Sequence, residues 1–175
     1  MLGDVMALPR LEYVLASHNY VTSIEGDVGE ALKTLDLAHN PLTRAQLSAP
    51  VPSSLTRLDL SHANLVTINE SLFRSVPELR QLVLDHNQFA SLPPLGSLGK
   101  LECLSCATNA LTQLPDSIGS LRALQRVDVR DNNLRSLPAS VWRCQSLRVL
   151  NASSNILSSL PMPDGGAPDT MPLAA

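Results

Sequence analysis

One fifteen-residue stretch constrains everything this chain can fold into: Leu124-Gln125-Arg126-Val127-Asp128-Val129-Arg130-Asp131-Asn132-Asn133-Leu134-Arg135-Ser136-Leu137-Pro138. Leu124, Val127 and Val129 point to one side, and the alternation around Val127 and Val129 marks a short strand with one buried face. Asn132 stands where the chain turns after the strand, and its amide can bond backbone groups that the turn strips of partners. A single unit of this kind cannot bury its own apolar edge, so it must stack on copies of itself. The copies are there: the Asn position recurs as Asn19, Asn40, Ala63, Asn87, Asn109, Asn132 and Asn155, at spacings of 21 to 24 residues. Ala63 is the one break in that ladder, with Asn64 next to it. Self-similarity at this period specifies an α/β solenoid, right-handed, with a seven-strand parallel sheet on its concave face. Short irregular, 3₁₀ or helical returns should form the convex face. The strands should centre on Val14, Leu35, Leu58, Leu82, Leu104, Val127 and Leu150, with Leu150 deep in the stacked core.

The array runs over residues 1–161 and begins in mid-repeat, because Met1, Val5 and Leu8 align with Leu114, Ile118 and Leu121 on the convex side. An array opening there exposes an apolar end, which solenoids avoid, so the chain reads as part of a longer one. The return from Pro41 to Ser54 carries Pro41, Pro50 and Pro52 and should be irregular. Leu95-Gly96-Ser97-Leu98 and Ile118-Gly119-Ser120-Leu121 suit brief helical or 3₁₀ turns, and Val141-Trp142-Arg143-Cys144 takes that place in the last repeat. Residues 162–175 are Pro/Gly-rich without core positions and read as a flexible linker.

Composition closes off several functions. A formal charge of -3 and the lack of a Lys/Arg block argue against nucleic acid. The N-terminus lacks an export signal, and no stretch approaches the roughly 18 apolar residues of a membrane helix, so direct membrane insertion is not expected. The low aromatic content, 3%, fits a core of stacked aliphatic columns. Of the three cysteines, Cys106 and Cys144 take core positions, while Cys103 lies on the opposite face of its strand. That splits the Cys103-x-x-Cys106 pair and argues against a redox or zinc site. With no disulfide-bearing caps, a reducing, cytoplasmic setting is expected.

His18, His39, His62 and His86 all precede the Asn column. At about 4.8 Å per strand the four span about 14 Å, too far to converge on one zinc, whose ligands sit at about 2.0 Å. They are expected to face solvent. No phosphate loop and no nucleophile with a base in register appears, so neither catalytic residues, metal nor cofactor is expected. The concave face is charged, and Arg57, Asp59, Arg80, Asp85, Arg126, Asp128, Arg130 and Arg148 are the candidate partner-binding residues. Cross-strand ion pairing is the simpler role for the same side chains. Asn19, Asn40, Asn87, Asn109, Asn132 and Asn155 form the structural ladder.

The repeat is that of the leucine-rich-repeat proteins, and from Leu79 to Pro163 the chain resembles the repeat region of fungal adenylate cyclases. The residues that carry the resemblance are Leu82-Val83-Leu84-Asp85-His86-Asn87-Gln88-Phe89 with Ser91-Leu92-Pro93-Pro94, then Leu114-Pro115 with Ile118-Gly119, then Leu137-Pro138-Ala139 with Val141-Trp142. Most specific is Leu150-Asn151-Ala152-Ser153-Ser154-Asn155-Ile156-Leu157, closing in Leu160-Pro161-Met162-Pro163. The resemblance implies a non-catalytic module that receives a Ras-type small GTPase, with the cyclase domain elsewhere in a longer chain. It further implies a cytoplasmic protein recruited to the inner face of the plasma membrane through that partner. Two alternatives share the pattern: a stand-alone intracellular Ras-group repeat scaffold, and the repeat region of another regulated signalling enzyme.

Overall fold

The computed structural model describes residues 8–23, 28–42 and 52–162. Seven three-residue strands lie side by side in chain order in one parallel sheet: β1 (Tyr13–Leu15), β2 (Thr34–Asp36), β3 (Arg57–Asp59), β4 (Gln81–Val83), β5 (Cys103–Ser105), β6 (Arg126–Asp128) and β7 (Val149–Asn151). Their middle residues, Val14, Leu35, Leu58, Leu82, Leu104, Val127 and Leu150, are aligned in register as the repeat pattern requires. A second inward column runs through Leu37, Leu60, Leu84, Cys106 and Val129, and a third through Leu32, Leu55, Leu79, Leu101 and Leu124, all essentially inaccessible to solvent. Each such side chain contributes about 1.5–3 kcal/mol by leaving water.

The ends of the stack depart from expectation. Leu150 is only partly buried, with Leu147, Ala152 and Leu157, because β7 is the last described strand and no described repeat stacks over it. Leu11 N–H donates to Leu8 O at 3.2 Å, the turn that Leu124 and Leu121 make, yet the Leu8 side chain is exposed. No described repeat covers it. Met1, Val5, the return over 43–51 and the tail over 163–175 lie outside the described residues.

Each strand runs into a tight turn through the left-handed region. His18, His39, His62, His86, Thr108, Asp131 and Ser154 have φ of 52–56°. Non-glycine residues rarely adopt this conformation, His, Asn and Asp doing so most readily. The Asn column holds the turn. Asn132 Nδ2 donates to Cys106 O (2.9 Å), Val129 O (3.1 Å) and Arg130 O (3.1 Å), and its Oδ1 accepts from Leu111 N–H (2.9 Å). Asn40, Asn87, Asn109 and Asn155 repeat the arrangement, each reaching back to the preceding repeat. At the break, Ala63 is fully buried and Asn87 Oδ1 serves both Ala63 N–H and Leu65 N–H. Leu42 N–H, which an asparagine at 63 would have received, donates to Asn40 O instead.

Among the described residues the returns are of three kinds. Repeat three contains a six-residue α-helix, Glu70–Ser75, that the repeat pattern alone does not single out. Its start is nonetheless written locally, since Asn69 Oδ1 accepts from Ser71 N–H at 2.9 Å, an N-cap, and Leu72 and Phe73 fill the core. Asp116–Ser120 and Ala139–Arg143 are 3₁₀ turns, in keeping with their spacing. Leu95 to Leu98 makes only a single turn, Leu98 N–H to Leu95 O. Gly119 is required by packing: a Cβ there would sit 2.5 Å from Ser140 O, in the adjoining 3₁₀ turn.

Two substitutions test the ladder and the turn. Asn132→Ala orphans buried backbone groups and costs about 1–3 kcal/mol, whereas Asn133→Ala on the exposed neighbour costs much less; paired urea melts read the difference. Thr108 is β-branched and left-handed at once, so Thr108→Asn raises the urea midpoint, by about 1 kcal/mol in stability.

Candidate protein-binding face

The register sorts the outward side chains into rows. Tyr13, Thr34, Arg57, Gln81, Cys103, Arg126 and Val149 form one, and Leu15, Asp36, Asp59, Val83, Ser105, Asp128 and Asn151 another. Glu12, Lys33, Thr56, Arg80, Glu102, Gln125 and Arg148 precede the strands. The carbonyls of the first six accept from the next repeat, as when Thr56 N–H and Arg57 N–H both donate to Lys33 O. Arg57, Asp59, Arg80, Asp85, Arg126, Asp128, Arg130 and Arg148 therefore lie on or beside one sheet face.

Their chemistry differs along that face. Arg57 is engaged twice, with Asp59 two residues on at 3.1 Å and Gln81 across the strands at 2.7 Å. Arg80 pairs across the strands with Glu102, as Lys33 does with Glu12. Asp59 also accepts from Ser61 N–H and Oγ. Asp85 accepts from Ser105 Oγ and from Ala107 N–H at 2.7 Å, a turn-fixing carboxylate that among the described residues has no basic side chain on it.

Asp128 is the centre of a different arrangement. It is 3% exposed, and its Oδ2 accepts from Arg130 Nη1 at 3.0 Å and from Asn151 Nδ2 at 3.4 Å, with Arg126 Nη2 at 3.6 Å. One buried carboxylate thus holds two exposed guanidiniums in place. Arg148 lies exposed one strand on, and among the described residues its side chain makes no ion pair.

The overall charge conceals this clustering. Residues 121–162 contain Arg122, Arg126, Arg130, Arg135, Arg143 and Arg148 against Asp128 and Asp131 alone, a formal +4 in a chain of net -3. All six arginines are exposed. The other end of the face carries the Lys33–Glu12 pair and Asp36 beside the exposed Tyr13 and Leu15, with no cluster of basic side chains among the described residues. Running totals of charge along the chain would have revealed this; a search for contiguous basic runs does not.

The remaining reactive groups are not brought together. Cys103 faces outward and Cys106 inward, and burial pushes the thiols of Cys103, Cys106 and Cys144 up, disfavouring the thiolate a nucleophile needs. The four histidines are exposed and stack ring on ring, with centroids 3.9–4.0 Å apart and planes within 14°. Among the described residues no group of three or more His, Cys, Asp or Glu side chains could hold a metal ion. No helix there is long and apolar enough to cross a membrane.

Comparison with known proteins agrees with the fold. The leucine-rich-repeat family model matches residues 30–89. Over 105 residues, 59% of the chain, it is 43% identical to an adenylate cyclase of Mycosarcoma maydis, and over 90 residues 42% identical to one of Podospora anserina. The chain spans about 4% of the length of each. It is also 38% identical over 85 residues to an Arabidopsis thaliana plant intracellular Ras-group-related leucine-rich-repeat protein, covering 48% of this chain and 22% of that one. A leucine-rich-repeat protein of Leptospira interrogans superposes with a TM-score of 0.68 at 28% identity, over 75% of this chain and 34% of that one.

Asp128→Ala leaves two neighbouring guanidiniums without their shared carboxylate and costs about 1–3 kcal/mol. Arg80→Ala, which removes one exposed ion pair, costs less than about 1 kcal/mol. Chemical denaturation of the two variants measures both.

Proposed function

The chain is a leucine-rich-repeat solenoid, and we propose that it is a non-catalytic protein-interaction module, the stretch of an adenylate cyclase that receives a Ras-type small GTPase. The observation that carries the reading is the face of β6 and β7, where Arg126 and Arg130 are fixed by buried Asp128 and Arg148 stands exposed beside them. Strands fixed in a sheet display such side chains with little left to order, which lowers the entropic cost of association. Guanidiniums pair carboxylates in bidentate fashion, so the face suits an acidic partner surface. The likeness to two fungal adenylate cyclases supports the cyclase context. A cytoplasmic module brought to the membrane by its partner is the setting that goes with this reading.

A stand-alone Ras-group scaffold is the second reading, favoured by the Arabidopsis relative. The coding sequence beyond Ala175 separates the two, since only the first continues into a cyclase.

In a binding titration with a Ras-type GTPase, the GTP-loaded form should bind and the GDP-loaded form should bind more weakly. Arg126→Glu with Arg148→Glu should weaken binding by about tenfold or more, that is about 1.4 kcal/mol, mainly through the on-rate. Deleting residues after Met162 should leave binding unchanged. Loss of binding on the deletion with the double reversal intact would place the partner off the sheet face.

A further inference from the structure

The stacked histidines remain outside the partner face. His18, His39, His62 and His86 come directly after β1 to β4, all in the left-handed turn, with successive ring centroids 4.0, 3.9 and 4.0 Å apart and interplanar angles of 12–14°. The rings lie closer than the roughly 4.8 Å between strands, so they lean into contact. The backbone of the same residues joins the repeats: His18 N–H donates to Ala38 O, His39 N–H to Ser61 O, His62 N–H to Asp85 O and His86 N–H to Ala107 O, each at 2.9 Å. Ring stack and backbone ladder are thus two layers of one seam across the first four repeats. In the later repeats the seam continues in backbone alone, through Thr108 N–H to Arg130 O and Asp131 N–H to Ser153 O.

We propose that the imidazole row is a proton-sensitive seam: its neutral rings pack, while protonation of neighbouring rings sets like charges about 4 Å apart and loosens the first four repeats, leaving the last three stacked. The surroundings supply little compensation. Burial is the first cause that lowers the His62 pKa, then His86 and His39 on either side, with His18 adding to them; Asp85 acts the other way. The Asp85 carboxylate is held by Ser105 Oγ and Ala107 N–H. Asp36 and Asp59, three residues before His39 and His62, are likewise occupied with the turn, on Ala38 N–H and on Ser61. A histidine whose folded pKa is lowered binds fewer protons folded than unfolded. Its contribution is whole above the unfolded value near 6.5 and is lost as pH falls through that value toward the folded one.

Amide hydrogen exchange on the full chain at pH 7.5 and pH 5.5, corrected for intrinsic chemistry, tests the seam with an internal control. Protection at the His39, His62 and His86 amides should drop by about fivefold or more on acidification, a coupling of ordinary size, while Thr108 and Asp131 hold theirs. His39→Asn with His62→Asn, which keeps residues that tolerate the left-handed turn, should abolish the pH-dependence; the single variant His62→Asn should halve it if the double variant folds poorly. Equal loss at Thr108 and Asp131, no loss at the histidine amides, or an undiminished pH-dependence in the asparagine variants would overturn the proposal.

Discussion

The asparagine amide that closes each strand is the interaction on which the rest depends. A three-residue strand offers its neighbours few ladder bonds, and a left-handed turn directly after it strips further backbone groups of partners. Asn40, Asn87 and Asn132, each less than a tenth exposed, answer both deficits by bonding carbonyls of their own turn, a carbonyl of the preceding repeat and an N–H of that repeat. At a net 0.5–1.5 kcal/mol for a typical bond, roughly, and more where a buried group would be orphaned, one side chain fixes strand, turn and register together. The distance from strand to asparagine is therefore constant, and the variation in period from 21 to 24 residues falls in the returns.

This is why so much of the fold was legible. Core column and Asn column recur at fixed offsets, so seven strand centres emerge from counting. Where the count fails, neighbours are missing. Leu8 and Leu150 occupy core positions by alignment and are exposed or half-exposed because no described repeat covers them. The helix at Glu70–Ser75 was written in Asn69 and the Leu72-Phe73 pair, local capping signals that a search for the repeat passes over. The partners of the charged residues were less legible. The rows place Arg57 between strands bearing polar neighbours, but whether it pairs along its own strand or across the sheet depends on side-chain reach, and it does both. The histidine column was visible as a column; ring contact was not, since strand spacing alone leaves the rings further apart than they are.

A repeat motif specifies the core and leaves the outward rows free. About seven of the roughly 23 residues in each repeat are set by the pattern. An identity of 28% to the Leptospira protein is about what those positions alone would produce, and it accompanies a shared fold. Function has to be argued from the rows that the motif does not set, which here means the arginines around Asp128.

Those rows divide the molecule. Each repeat touches only its neighbours, so stability is close to a sum of nearest-neighbour terms, and a change at one end reaches the other only through the repeats between. The imidazole seam belongs to repeats one to four and the arginine cluster to six and seven, with β5 and its turn between them. Loosening the seam would therefore leave Asp128, Arg126 and Arg130 in position, because their side-chain contacts run to Asn151, to Asp131 and to one another, and their backbone bonds reach back only as far as β5 and its flanking residues, not to β4. A solenoid can in this way carry two surface chemistries whose energetics are nearly independent, which a single closed core, where every element packs on every other, does not allow.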